Sequence, residues 1–117
     1  MPKVSRDNSI DTLLDLHGQI LVVDEKGQYW VKFIVREVPV TPEKPHGLDY
    51  SLTLHDINGE RLVGFDNAHA VKGGQGVKDH HHRLKTIKPY RYQDAASLLA
   101  DFWTEVEKIL KERGILP

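Results

Sequence analysis

The amino-acid sequence predicts an α+β fold, an antiparallel sheet of four to five strands packed against a long C-terminal helix, with an optional short helix at the N-terminus. Three observations carry this. Apolar residues alternate with polar ones in segments between Gln19 and Phe65, and Gly- or Pro-containing turns separate those segments. Beyond Pro89 the apolar period becomes helical. The chain has 117 residues, the size of a single domain spanning 1–117, and no repeat or linker divides it.

The elements follow in order. Ile10 to Leu16 has Ile10, Leu13 and Leu14 at helical spacing, but so short a segment needs a packing partner. Gln19 to Asp24 is a short apolar strand, Glu25-Lys26-Gly27-Gln28 is a turn signal, and Tyr29 to Val38 is aromatic and β-branched. In that second strand Tyr29, Val31, Phe33 and Val35 form the expected core face, with Trp30, Lys32, Ile34 and Arg36 on the other. Pro39, Pro42 and Pro45 then enforce a loop. Asp49 to Asp56 alternates cleanly, Asn58-Gly59 marks a hairpin turn, and Arg61 to Phe65 returns to deliver Asp66-Asn67 at a strand end. The glycine-rich stretch Ala68 to Asp79 reads as a mobile loop, and His80 to Ile87 as a fifth strand. Finally Ala95, Leu98, Leu99, Phe102, Val106, Ile109 and Leu110 form one helical stripe, with Asp94 as N-cap and Gly114 as the stop. Trp103 lies beside that stripe and reads either as core or as an anchor for a partner.

Composition narrows the function classes. There is no cysteine, which excludes disulfides and thiolate nucleophiles and leaves His, carboxylate or carbonyl groups as metal ligands. No apolar run approaches the roughly 20 residues that cross a bilayer, so a soluble, cytoplasmic protein without membrane contact is expected. The net charge of -1 conceals an asymmetry: from Lys72 to Arg91 six basic residues face Asp79 alone, leaving 10 basic against 16 acidic residues elsewhere. A local basic patch on an acidic body suits an anionic ligand such as a phosphodiester.

Four of the seven histidines lie in or beside that patch, His69 just before it and the run His80-His81-His82 within it. Imidazole titrates near neutrality, so such a cluster beside Asp66, Asn67, Lys78 and Arg83 suits proton transfer, metal ligation or phosphate binding. Strand alternation puts His80 and His82 on one face and His81 on the other, so two of the three rings converge. Either ring of that pair can act as general base with Asp66 orienting it, while Lys78 or Arg83 stabilises charge on phosphorus. Metal chemistry is the alternative, with His69, His80, His82 and Asp66 holding a divalent ion such as zinc or manganese. Gly73-Gly74-Gln75-Gly76 lacks the Gly-Lys-Ser/Thr ending of a P-loop and reads as simple flexibility. His17, His46 and His55 read as structural or surface residues.

From about Gly18 to the helix end, the chain resembles the TumE family of toxins from prokaryotic toxin-antitoxin systems. The resemblance rests on Phe65-Asp66-Asn67, Lys78-Asp79-His80-His81, Pro89-Tyr90 and Leu98-Leu99-Ala100-Asp101-Phe102. The family pattern has an Asp-Asn pair followed by Lys-x-His-His-x-His; Lys78, His80 and His81 match it, and Arg83 stands at the last position, with His82 displaced by one. The resemblance implies a growth-blocking toxin with a cognate, DNA-binding antitoxin as partner. Together with the residue chemistry it yields the expectation of a metal-independent ribonuclease that uses Asp66, Lys78, Arg83 and acid-base pairs drawn from His80, His81 and His82, acting on RNA without a cofactor. A non-catalytic interaction protein and a metal-dependent nuclease are the alternatives. The sequence leaves the oligomeric state open.

Overall fold

The structure, a computed structural model, describes residues 7–67 and 79–117. Two helices, α1 (Ser9–Asp15) and α2 (Ala95–Glu112), cover one face of a six-stranded sheet. The strands are β1 (Ile20–Val22), β2 (Trp30–Glu37), β3 (Leu48–His55), β4 (Arg61–Asp66), β5 (His80–Arg83) and β6 (Thr86–Pro89). They pair in chain order and every pairing is antiparallel. Among the described residues no helix is long and apolar enough to cross a membrane.

The sheet has six strands, where four to five were expected, because the segment His80 to Ile87 is the start of a hairpin. Arg83 pairs with Thr86, and the two-residue turn between them puts Leu84 at φ 53°. Two-residue hairpins call for positive φ at the turn, a conformation that glycine or asparagine usually supplies and leucine does not advertise. The last strand ends at Pro89, which a sheet tolerates because β6 is an edge.

Period-two alternation decides the core. Val31, Phe33 and Val35 of β2 face Leu54, Leu52 and Tyr50 of β3, and Leu52 and Leu54 in turn face Phe65 and Val63 of β4. All are buried beneath Leu98, Phe102, Val106, Ile109 and Leu110 of α2. Burying each large apolar side chain contributes about 1.5–3 kcal/mol, so this face supplies most of the driving force. Phe102 sits at the centre, edge-on to Phe33 at 5.8 Å and to Phe65 at 6.2 Å. Trp103 packs against Phe33 and Phe102 at the rim of this core. The hairpin at Asn58-Gly59 introduces a bulge between Leu54 and His55, so that both Leu62 and Val63 are buried.

The helix ends are tied down by side chains. Asp94 accepts a hydrogen bond from the Ser97 amide, as its expected N-cap role requires, while Asp7 and Ser9 accept from the Ala95 and Ala96 amides. The residues that begin α1 thus complete the N-terminus of α2, and this gives the short first helix its partner. At the other end Gly114 adopts φ 76°, and the Ile115 amide donates to Leu110 O.

Candidate functional site

Both helices lie on one face, so the opposite face of the sheet is open among the described residues. Register arranges that face in rows. Lys32, Thr53, Gly64 and His82 form one row across β2 to β5, and Ile34, Ser51, Asp66 and His80 form the next. Adjacent strands lie about 4.8 Å apart, so Asp66 is a direct neighbour of His80 and a diagonal neighbour of His82.

These three side chains converge. Asp66 Oδ2 lies 2.8 Å from His82 Nε2, and Asp66 Oδ1 lies 3.9 Å from His80 Nδ1. A carboxylate can only accept, so His82 donates from Nε2 and keeps its Nδ1 lone pair for another proton. The two rings stand 6.3 Å apart between centroids, and their side chains are 11% and 15% exposed. Burial draws His82 below the ordinary imidazole value near 6.5, against the opposing pull of the Asp66 carboxylate. A neutral ring oriented by a carboxylate is the form a general base needs.

Two further residues complete the geometry, and sequence reading missed both. Gly64 has no side chain, and Arg61 lies in the space this leaves: a Cβ at Gly64 would be 3.1 Å from Arg61 Cδ and 3.6 Å from its Nη1. The Arg61 charge also acts on His82, lowering its proton affinity. A glycine inside an otherwise apolar strand signals such a close approach, and that was the available clue.

The other expected site residues stand elsewhere. His81 projects to the helix side, stacked on Phe65 at 4.3 Å and 10°, with Nε2 3.7 Å from Glu105 Oε1. That nitrogen is buried without a hydrogen-bond partner among the described residues, and burial lowers the proton affinity of the ring. Arg83 also turns to the helix side and pairs with Glu112 of α2. Asn67 is buried, its Oδ1 accepting from the Tyr50 amide and its Nδ2 donating to Leu48 O, so it fastens the ends of β3 and β4 together. Lys78 and His69 lie outside the described residues. Among the described residues no three His, Asp or Glu side chains are arranged to hold a metal ion.

A second polar cluster lies on the helix side, close to the chain's return from Asp79. Asp79 accepts from the Tyr50 hydroxyl at 2.6 Å and lies 2.9 Å from His46 Nε2, while the His46 ring stacks on Tyr92 at 3.8 Å. Burial, reinforced by the Asp79 contact, holds the Tyr50 phenol far above its ordinary range, so it remains a donor. His46 thus joins the proline loop to the residue just before β5.

The family profile described as Toxin TumE matches residues 8–110, nearly the whole chain. Comparisons with curated proteins and with solved structures give no match. The chain belongs to the TumE toxin family, and that membership suggests the toxin of a toxin-antitoxin system with an antitoxin as partner.

Proposed function

We propose that this toxin is a metal-independent ribonuclease whose catalytic group is the Asp66, His80 and His82 constellation on the open face. The observation that supports it is one carboxylate facing two imidazoles, its Oδ2 at 2.8 Å from His82 and its Oδ1 at 3.9 Å from His80. RNA carries its own nucleophile, so cleavage requires a base, an acid and a cation. In this reading His82 Nδ1 takes the proton of the 2′-hydroxyl, and the 2′-oxygen attacks phosphorus. The bond from phosphorus to the 5′-oxygen breaks, His80 protonates that oxygen, and a 2′,3′-cyclic phosphate and a free 5′-hydroxyl result. Asp66 fixes the His82 tautomer. Arg61, across Gly64, stabilises the charge on the non-bridging oxygens, the role that the sequence alone assigns to Lys78 or Arg83. Activity takes place in the cytoplasm, where RNA and antitoxin meet.

The test is incubation of purified protein with RNA, with and without a chelator, and analysis of the new ends. Cyclic phosphate ends formed equally in both samples support this reading. Activity lost to chelator and restored by zinc or manganese instead favours a metal site that uses Asp66, His69, His80 and His82.

A non-catalytic reading draws on a different observation. The edge strand β1 exposes Ile20 at 58% and Val22 at 60%, apolar side chains on a strand that has no neighbour on its outer side among the described residues. An added strand from a DNA-binding antitoxin fits that edge. Growth arrest that survives the joint substitution of His80→Ala and His82→Ala would transfer the toxic function from the histidine site to such an interface.

A further inference from the structure

The catalytic constellation occupies one side of the open face, on β4 and β5. Across the sheet the same face carries Trp30 of β2 and His55 of β3, register partners whose rings stack at 5.6 Å and 18°. His55 Nε2 lies 2.9 Å from Thr53 Oγ1 and its Nδ1 lies 3.3 Å from Gly59 O, so the ring is held in place. Neither ring belongs to the core cluster. Lys32 and Arg36 follow Trp30 on the same face of β2 and are exposed, and Arg61 is the register partner of His55 on β4. The two carboxylates on the paired positions of this face both stand near cations or imidazoles: Asp49 Oδ1 lies 3.5 Å from Lys44 Nζ, and Asp66 faces His80 and His82. The face therefore offers aromatic area and positive charge together.

We infer that this face is a binding track for single-stranded RNA, with Trp30, backed by His55, as the platform for one base and Lys32, Arg36 and Arg61 along the phosphates. The inference rests on the ribonuclease reading for the placement of the scissile phosphate at Asp66, His80 and His82. Stacking on an aromatic ring requires a base with an exposed face, which a single strand offers and a duplex does not. Trp30 is two to three strand spacings across the sheet and two to four residues along the strands from the constellation, about 16–20 Å, a distance that a short single strand spans. Arg61 lies between the two and serves both.

The experiment measures binding of a fluorescein-labelled RNA octamer with 2′-O-methyl groups, which lacks the nucleophile, so that affinity is read without cleavage. Trp30→Ala is expected to weaken binding roughly tenfold, and Trp30→Phe to recover most of the loss. The joint change of Lys32→Glu and Arg36→Glu is expected to weaken binding at least as much and to flatten its salt dependence. An octamer duplex is expected to be insensitive to Trp30→Ala. The inference is overturned if folded Trp30→Ala binds the single strand as wild type does, or if it loses antitoxin binding alone. Should Trp30→Ala fail to fold, the charge pair decides, and unchanged affinity there overturns the inference. Cleavage of unmodified RNA by His82→Ala is scored separately. If that variant cleaves normally while Trp30→Ala binds weakly, the catalytic assignment falls and the track stands.

Discussion

The two faces of β4 and β5 are built from the same ten residues, and they do opposite things. Phe65 and His81 face the helices, stack on each other and complete the core, whereas Asp66, His80 and His82, their immediate neighbours, meet on the open side. Two histidines adjacent in sequence thus have opposite surroundings, His81 against Phe65 and His82 against Asp66. Residue type did not assign their roles; the pleat did.

The comparison can be broken most sharply on the open side. Asp66→Ala removes the group that orients His82, and we expect RNA cleavage to fall about 10²–10⁴-fold, the range for a disabled acid-base pair. Unfolding in urea should show the protein still folded. Cleavage at the wild-type rate by this variant would mean that the open face is not catalytic.

On the covered side the expected effect is on stability. His81→Ala opens a cavity against Phe65 and should cost about 2–4 kcal/mol in urea unfolding, within the range for large-to-small changes in cores. Cleavage per folded molecule should be unaltered. His81→Phe should instead fall within about 1 kcal/mol of wild type, because it replaces a buried ring nitrogen without a hydrogen-bond partner among the described residues with apolar surface of similar shape.

Acid sharpens the contrast, because burial lowers the proton affinity of both His81 and His82. Each folded imidazole then titrates below its unfolded value near 6.5, so the unfolded chain binds more protons there. Their contribution to stability is complete above about pH 6.5 and is lost as pH falls through the lowered folded values. Cleavage should fall in the same direction, since a protonated His82 is no base. His81→Phe should remove part of the acid sensitivity of unfolding and leave the pH profile of cleavage unchanged. A cleavage profile that shifts with His81→Phe would join the two faces functionally.

The smallest effect is expected at Gly64. A methyl group there meets Arg61 Cδ at 3.1 Å, so Gly64→Ala should displace the guanidinium and lower cleavage by roughly tenfold, less than losing a full charged stabiliser. The thermal midpoint should change little, since the position faces outward and the neighbour that gives way is a flexible side chain.

The same contrast explains what could be read in the sequence. Alternation along His80-His81-His82 revealed which rings share a face, and the helical stripe from Ala95 to Leu110 revealed what covers the other. Charge counting between Lys72 and Arg91 cannot see direction: Arg83 turns to Glu112, and among the described residues Lys32, Arg36 and Arg61 bring basic groups to the open face. Arg61 was hidden by the bulge at Leu54 and His55, which shifts the register by one residue. The turn at Leu84-Lys85 was hidden because no glycine or asparagine marks it. The contacts from Asp79 to His46 and Tyr50 join residues 33 and 29 positions apart, a separation at which local pattern carries no information.

If the proposed ribonuclease site is right, function lies on the open face of β4 and β5 and not on the covered one. The most direct measurement is RNA cleavage by His82→Ala and His81→Phe, compared with wild type at equal concentrations of folded protein. At least a hundredfold loss is expected for His82→Ala and wild-type cleavage for His81→Phe. Equal cleavage by wild type and His82→Ala, with loss only in His81→Phe, would contradict it.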